Sequence, residues 1–450
     1  MTNCSRRSIG IGSGRIEGMI PFRNTFDPIP TIVQRSLHLI LVLLSGLCAT
    51  AQDCSIPFTE PLFEVQERSD IWYGNAPRFN GGSDSLRLNL FTPIGDGQTE
   101  RPLVIAIHGG GLIEGHRNEL NDYCRIMASM GWAAATVTYR LGYYGTGILD
   151  PPYAYDPNEM RRAIFRAMQD AKGAIRFLKG RHEEDSTSTN NVLLAGFSAG
   201  SITAMHAAYL DQPEEKPAAA FAIGDVQHFF DFYPRPDLGS IDGDLNQNGS
   251  NASILGVSNF FGALLDTTFI GSATDPALYS YHQTMDPVVA CGLNRPYWGI
   301  GLGIPDNLPY LFGSCMLDLR VQHLGFSAGR YQFSLHPGNA HEVHDPPGEL
   351  VHNVQWMRDL FCTTTSTEGK FDRGTTTLYP NPTSGPLVVD LGGIPEPALI
   401  TVHDVTGKLV HLEGTGSGRL QLDFSGLRPG LFLVSIQTGD RVERHRVIRE

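Results

Sequence analysis

Five residues, Gly196-Phe197-Ser198-Ala199-Gly200, narrow the folds open to this chain more than any other stretch. Before them stands the apolar run Asn191-Val192-Leu193-Leu194-Ala195, which reads as a buried parallel strand, and after them Ser201 to Leu210 reads as a helix. A strand that passes directly into a helix around a serine must turn sharply. The turn brings neighbouring backbone close, so positions 196 and 200 need glycine, and the serine hydroxyl emerges above the sheet. A G-x-S-x-G string alone also arises by chance; its flanks make this one specific.

A second strand end supports it. Pro102-Leu103-Val104-Ile105-Ala106-Ile107 runs straight into His108-Gly109-Gly110-Gly111, where glycines can turn backbone N–H groups toward a point at which negative charge develops. The two motifs, in this order and each at a strand end, resemble the esterase branch of the α/β-hydrolase family, the carboxylesterases and lipases with an HGGG loop. The likeness runs over residues 85–362, with Trp132 to Arg140 as the next strand and Arg161 to Lys179 as a helix. It implies a doubly wound, mostly parallel sheet of α/β class.

The resemblance also implies a triad in the order nucleophile, acid, histidine. Ser198 is the nucleophile. For the acid, Asp286 follows the strand Leu278 to His282 in an Asp-Pro-Val-Val loop similar to the family's, although Gln283-Thr284-Met285 replaces the usual glycine; Asp225 and Asp275 are the alternatives. For the base, the strand Tyr331 to Leu335 leads into a loop with His336, His341 and His344, before the helix Gly348 to Phe361. His341 sits where the family's loop carries its base, His344 is the alternative, and His336 is close to the strand. The backbone N–H groups of Gly110, Gly111 and Ala199 would hold an oxyanion. This chemistry implies no cofactor and no metal.

Other stretches are read less specifically. A strand is expected at Ala218 to Ile223, with Asp225 at its end, and an entry hairpin around Leu86 to Phe91. The loop Leu141 to Asn158 holds Tyr143, Tyr144, Tyr153 and Tyr155 beside Pro151 and Pro152, suited to a substrate entrance or to a structural cap. Read from Asp244, the stretch to Gly249 matches half of a calcium loop, but Leu255 stands where the closing glutamate belongs, and a solvated turn is the simpler reading.

The N-terminus has the pattern of a secretory signal. Arg35 precedes the apolar core Leu37 to Leu44, and Ala49-Thr50-Ala51 offers a small-residue cleavage site, which gives residues 1–51 as a signal region. The apolar run is short for a membrane span. Beyond it remain Cys54, Cys124, Cys291, Cys315 and Cys362, an odd set in an oxidising compartment, with Cys291 and Cys315 the expected pair. None has metal-ligand spacing. A formal net charge of −13 argues against a general nucleic-acid binder and against attraction to an anionic membrane.

The 450 residues exceed one ordinary domain, and the composition changes after Cys362. Residues 52–362 form the hydrolase domain, 363–375 a Thr-rich linker, and 376–450 a run of short alternating strands that reads as a small all-β sandwich. Tyr379-Pro380-Asn381-Pro382, the turn Asp404-Val405-Thr406-Gly407-Lys408, Leu427 to Phe432 and the basic end Arg441 to Arg446 resemble the C-terminal sorting domain of the type IX secretion system of Bacteroidetes. That resemblance implies the secretion machinery as a partner and a secreted or cell-surface location, by way of the periplasm and then the outer membrane. The expected activity is cleavage of carboxylic esters by a serine esterase acting on a small or polymeric ester. A carbohydrate deacetylase, a feruloyl-type esterase, a peptidase of the same fold, or an inactive surface-displayed binding protein on that fold are the alternatives.

Overall fold

The computed structural model describes residues 54–145, 154–228, 230–300, 303–362, 376–391, 398–404, 409–415, 418–438 and 441–450. The signal region, the linker, the middle of the 141–158 loop and residues 405–408 of the expected turn lie outside the described residues. The chain divides into two units, Met1–Cys362 and Thr363–Glu450.

The first unit is built on eight strands: β1 (Val65–Pro77), β2 (Ser83–Pro93), β3 (Arg101–Ile107), β4 (Ala133–Val137), β5 (Thr187–Phe197), β6 (Gly256–Phe260), β7 (Ala277–Gln283) and β8 (Tyr331–His336). They form one sheet in the order β1-β2-β4-β3-β5-β6-β7-β8. β1 and β2 pair antiparallel and β2 meets β4 antiparallel; from β4 to β8 every pairing is parallel. Central strands of such a sheet are covered on both faces, so they read as continuous apolar runs. Along β3, Leu103, Ile105 and Ile107 join the core on one face while Val104 and Ala106 join the core on the other. Burying an aliphatic side chain of this kind contributes roughly 2 kcal/mol.

Five helices supply the covering layers: α1 (Asn121–Ser129), α2 (Pro157–Gly180), α3 (Ala199–Tyr209), α4 (Ser314–Leu324) and α5 (Pro346–Asp359). Residues of α2, α3 and α4 pack in one core cluster and residues of α1 and α5 in the other. Asp156 caps α2 by accepting from the Asn158 N–H, with Pro157 in the first turn, where its missing N–H costs nothing. Every residue of α3 is buried, as expected for a helix of small and apolar residues with no charged face. Among the described residues two disulfides are formed. Cys291–Cys315 matches the expected pairing, and Cys54–Cys362 joins the first and last described residues of the unit across a sequence separation of 308, while Cys124 is a buried free thiol.

One expected strand is misplaced. Ala218–Ala220 forms a single 3-10 turn, and Asp225 lies in a separate antiparallel hairpin, Ile223–His228 with Asp231–Arg235. The strand that follows α3 in the sheet is β6, Gly-Val-Ser-Asn-Phe. Its two central residues are polar, which hides it from a reading based on apolar runs, yet all five residues are buried. Ser258 accepts from Asn353 at 2.7 Å, and Asn259 bonds to neighbours on three sides, so both polar side chains are paired within the sheet.

The second unit is all-β. β9 (Thr377–Tyr379), β10 (Pro386–Asp390), β11 (Ala398–Asp404), β12 (Leu409–Thr415), β13 (Arg419–Asp423), β14 (Gly430–Thr438) and β15 (Arg441–Arg449) make two antiparallel sheets, β9-β10-β13 and β12-β11-β14-β15. Alternate residues turn inward: Leu387 and Val389, Ile400 and Val402, Val434 and Ile436 are buried with Phe424 and Phe432 in one core. This is the sandwich that the alternation implies.

Candidate active site

Ser198 stands between β5 and α3 with φ 55° and ψ −122°, a conformation that a side chain other than glycine rarely adopts. The surroundings hold it there. A Cβ at Gly196 would collide with the Ser201 backbone, and one at Gly200 with the carbonyl oxygens of Ile107 and His108 at the end of β3. The Ser198 N–H donates to Phe260 O at 3.0 Å, and its carbonyl accepts from Ser201 N and Ile202 N as α3 begins.

The loop after β3 passes directly against the serine. A Cβ on Gly109 would lie 3.3 Å from that of Ser198. Gly110 and Gly111 both have positive φ, and Gly110 O accepts from Ile113 N and Glu114 N, which closes the loop into a tight turn. His108 is 1 % exposed and anchors the turn: its Nδ1–H donates to Gly109 O at 2.9 Å, and its ring stacks on Tyr139 at 4.6 Å. The Tyr139 hydroxyl in turn donates to His108 O. Burial lowers the pKa of His108, against the opposing effect of the Gly109 hydrogen bond, so the ring is a neutral structural part of the loop.

His341 links the two sides. Its Nδ1 lies 2.7 Å from Asp286 Oδ2 and its Nε2 lies 2.7 Å from Ser198 Oγ. The carboxylate can only accept, so Nδ1 carries the proton and Nε2 is left to accept from the serine hydroxyl. Asp286 is fully buried, and its other oxygen accepts from Val288 N at 2.8 Å and Val289 N at 3.0 Å. Its carbonyl accepts from the Trp298 indole at 2.7 Å. The Phe261 ring meets His341 edge-on at 4.7 Å. Such a chain can move a proton from the serine to the imidazole while the carboxylate stabilises the imidazolium.

The other sequence candidates lie elsewhere. His344 and His336 stack on each other at 3.9 Å, and His344 N donates to the Tyr281 hydroxyl. Asp275 accepts from Gly271 N and Ser272 N in a turn, and Asp225 lies in the side hairpin. The Asp242–Gly249 segment packs on α2. Asn246 donates to Tyr73 O and Gly173 O, Asn248 to Arg176 O, and Arg176 donates to the carbonyls of Asp242 and Leu245. Among the described residues no group of three or more His, Cys, Asp or Glu side chains could hold a metal ion.

Gln283, read with Thr284 and Met285 as replacing the glycine of a loop pattern, ties the Asp286 and His341 loops together. Its Nε2 donates to Glu342 O at 3.0 Å and its Oε1 accepts from Ala340 N at 2.9 Å, one residue on each side of His341. A Cβ on Gly338 would strike that oxygen. The Tyr297 hydroxyl lies against the HGGG loop, 2.5 Å from where a Cβ on Gly111 would be, while its N–H donates to Val288 O. No local motif marks these residues.

Comparison with known proteins divides the chain in the same way. Residues 63–210 match the carboxylesterase family, and residues 377–450 match the secretion system C-terminal sorting domain. The first match includes the HGGG loop and the serine turn and ends before Asp286 and His341. Solved structures similar to this chain include esterase 2 of Thermogutta terrifontis phosphorylated by paraoxon, at 14% identity and a TM-score of 0.42 over 66% of this chain and 94% of that one. The propionate-bound form of that enzyme is 16% identical, with a TM-score of 0.40 over 67% and 93% of the two chains. A truncated carbohydrate esterase from gut microbiota is 14% identical, with a TM-score of 0.38 over 67% and 95%. No curated protein matches. The chain is thus a carboxylic ester hydrolase with a mostly parallel, α/β-hydrolase-type sheet, in which a segment that matches the carboxylesterase family is followed by one that matches a secretion system C-terminal sorting domain.

Proposed function

We propose that the protein is an exported serine esterase that works through an acyl-enzyme. One observation carries the reading: His341 bridges a serine hydroxyl and a buried carboxylate at 2.7 Å on each side. Ser198 Oγ attacks the ester carbonyl carbon as its proton passes to His341 Nε2, and the charge that develops on the carbonyl oxygen meets the N–H groups of Gly110, Gly111 and Ala199. One donor of this kind is worth on the order of 3 kcal/mol in the transition state. The C–O bond to the alcohol breaks as the leaving oxygen takes the proton back from His341. Water then adds to the acyl carbon, gives its proton to His341, and releases the carboxylic acid and free Ser198. Asp286 holds the imidazole tautomer and offsets its charge in both halves.

Two addresses belong to the same reading. Residues 1–51 act as the signal for export to the periplasm, and the C-terminal domain engages the type IX machinery that carries the enzyme over the outer membrane to the surface or the medium. The sorting-domain match supports the second step. Among the described residues no helix is long and apolar enough to cross a membrane.

The test is hydrolysis of p-nitrophenyl esters from acetate upward, with Ser198→Ala alongside. Turnover that falls about 10⁵-fold or more in the variant is expected, and the chain-length optimum then measures the acyl pocket. Undiminished turnover in Ser198→Ala sinks the acyl-enzyme reading; an inert but folded wild type on every ester moves the substrate to acetylated or feruloylated glycans.

A further inference from the structure

A line of buried polar side chains runs behind the site, from the helix that carries the nucleophile to the loop that carries the acid. It begins at Ser201, in the first turn of α3. Ser201 Oγ donates to Asn259 Oδ1 at 2.5 Å, and Gly262 N donates to the same oxygen at 2.8 Å. The backbone N–H can only donate, which fixes the orientation of the Asn259 amide. Its Nδ2 therefore donates, to Ser280 Oγ at 3.1 Å and to Ser314 Oγ at 3.0 Å. Ser314 Oγ is 2.8 Å from His282 Nδ1, and His282 Nε2 is 2.8 Å from Val289 O and 3.6 Å from Asp286 Oδ2.

A carbonyl only accepts, so Nε2 of His282 carries its proton and Nδ1 receives the Ser314 hydroxyl proton. Every bond in the line then has one direction, and none is left with two donors facing each other. Ser201, Asn259, Ser280, His282, Ser314 and Asp286 are all 0% exposed. Burial lowers the pKa of His282, ahead of the opposing effects of Val289 O and Asp286, in keeping with the neutral ring that this pattern demands.

Both ends of the line are braced. Ser314 sits between Gly313, whose N–H donates to Gly292 O, and Cys315, whose N–H donates to Cys291 O and whose sulfur is bonded to Cys291. The segment just beyond Val289 is thus fastened to the start of α4. At the other end, a Cβ on Gly262 would lie 2.5 Å from Ser201 Oγ, so only glycine leaves room for that contact.

We infer that His282 is a positioning residue for Asp286. By holding Val289 O from inside, it fixes the loop whose N–H groups at Val288 and Val289 orient the Asp286 carboxylate toward His341, and that same Nε2–H stands 3.6 Å from the oxygen that His341 uses. The polar line couples that loop to α3, so that acid and nucleophile keep one geometry. This inference rests on the roles proposed above for Ser198, His341 and Asp286.

Steady-state kinetics of the full chain on a p-nitrophenyl ester test it, with wild type, Ser198→Ala, His282→Phe, His282→Gln and Ser314→Ala side by side and thermal melts of each. His282→Phe keeps the ring volume and loses both nitrogens. It is expected to lower kcat on the order of 10- to 100-fold with KM within about twofold, as loss of an orienting partner does. His282→Gln can place an amide N–H where Nε2 was and should recover part of kcat. A role in stability alone would lower the melting temperature of both variants and leave kcat of the folded fraction unchanged. A folded His282→Phe with wild-type kcat, or a glutamine variant no better than phenylalanine, overturns the inference. If His282→Phe does not fold, Ser314→Ala decides: a several-fold lower kcat at unchanged KM supports it, and wild-type kcat overturns it. Full activity in Ser198→Ala would overturn the active-site reading instead.

Discussion

The half of the proposed site around Ser198 and the half around Asp286 and His341 are built on different physics. Ser198 and the HGGG loop are set by local backbone sterics: a positive φ at Ser198, glycines where carbonyl oxygens leave no room for a methyl group, and helix α3 starting at once. Asp286 and His341 are set at long range. They belong to loops after two neighbouring parallel strands, fastened by Gln283, Trp298 and the Cys291–Cys315 disulfide. Local sterics demand particular residues at fixed spacing and so leave a motif. Distant hydrogen bonds demand only a polar group at the right point, which several residue types and several chain positions can supply.

That contrast makes the two halves break differently. Gly200→Ala should have the largest effect, because the new methyl group meets backbone oxygens of Ile107 and His108 that cannot rotate away. A loss on the order of 3 kcal/mol is expected from such overpacking, together with the loss of turnover. Urea unfolding and hydrolysis of p-nitrophenyl acetate measure both; an alanine variant with wild-type stability and rate would remove the steric half of the comparison.

Gln283→Ala should act more gently on the other half. Glu342 O and Ala340 N lose a partner each, at about 1 kcal/mol per bond, and His341 loses its hold between them. A kcat about tenfold lower, with a loss of about 2 kcal/mol in stability and the fold retained, is the expected result. Collapse of the fold, or no change in kcat, would mean that the base loop is held by something other than this side chain.

A smaller effect should appear in the pH dependence of stability. His206, at the heart of α3, donates from Nδ1 to Ile202 O, accepts at Nε2 from Leu265 N, and has its pKa lowered by burial to about 4. Unfolded, the ring takes a proton near its ordinary value, so the unfolded state binds more protons between about pH 6.5 and pH 4. Its stabilising contribution is complete above that window and is lost as pH falls through it, at about 1.4 kcal/mol per pH unit. His206→Gln should flatten this part of the profile; an unchanged slope would place the acid sensitivity elsewhere.

Sequence alone was enough for the class of the fold, because continuous apolar strands and glycine-dependent turns follow from the residues themselves. Strand β6 escaped notice for the opposite reason: Ser258 and Asn259 look unsuited to a sheet centre until Asn353, Ser201 and Ser314 arrive from far along the chain to pair with them. The same holds for Gln283 and His282, whose meaning lies in partners that no spacing predicts. Local geometry is written in neighbouring residues, so the sequence determined where the proposed nucleophile stands. Only the tertiary structure decided which of three histidines reaches it, because that choice depends on how two separate loops pack across the parallel edge of the sheet.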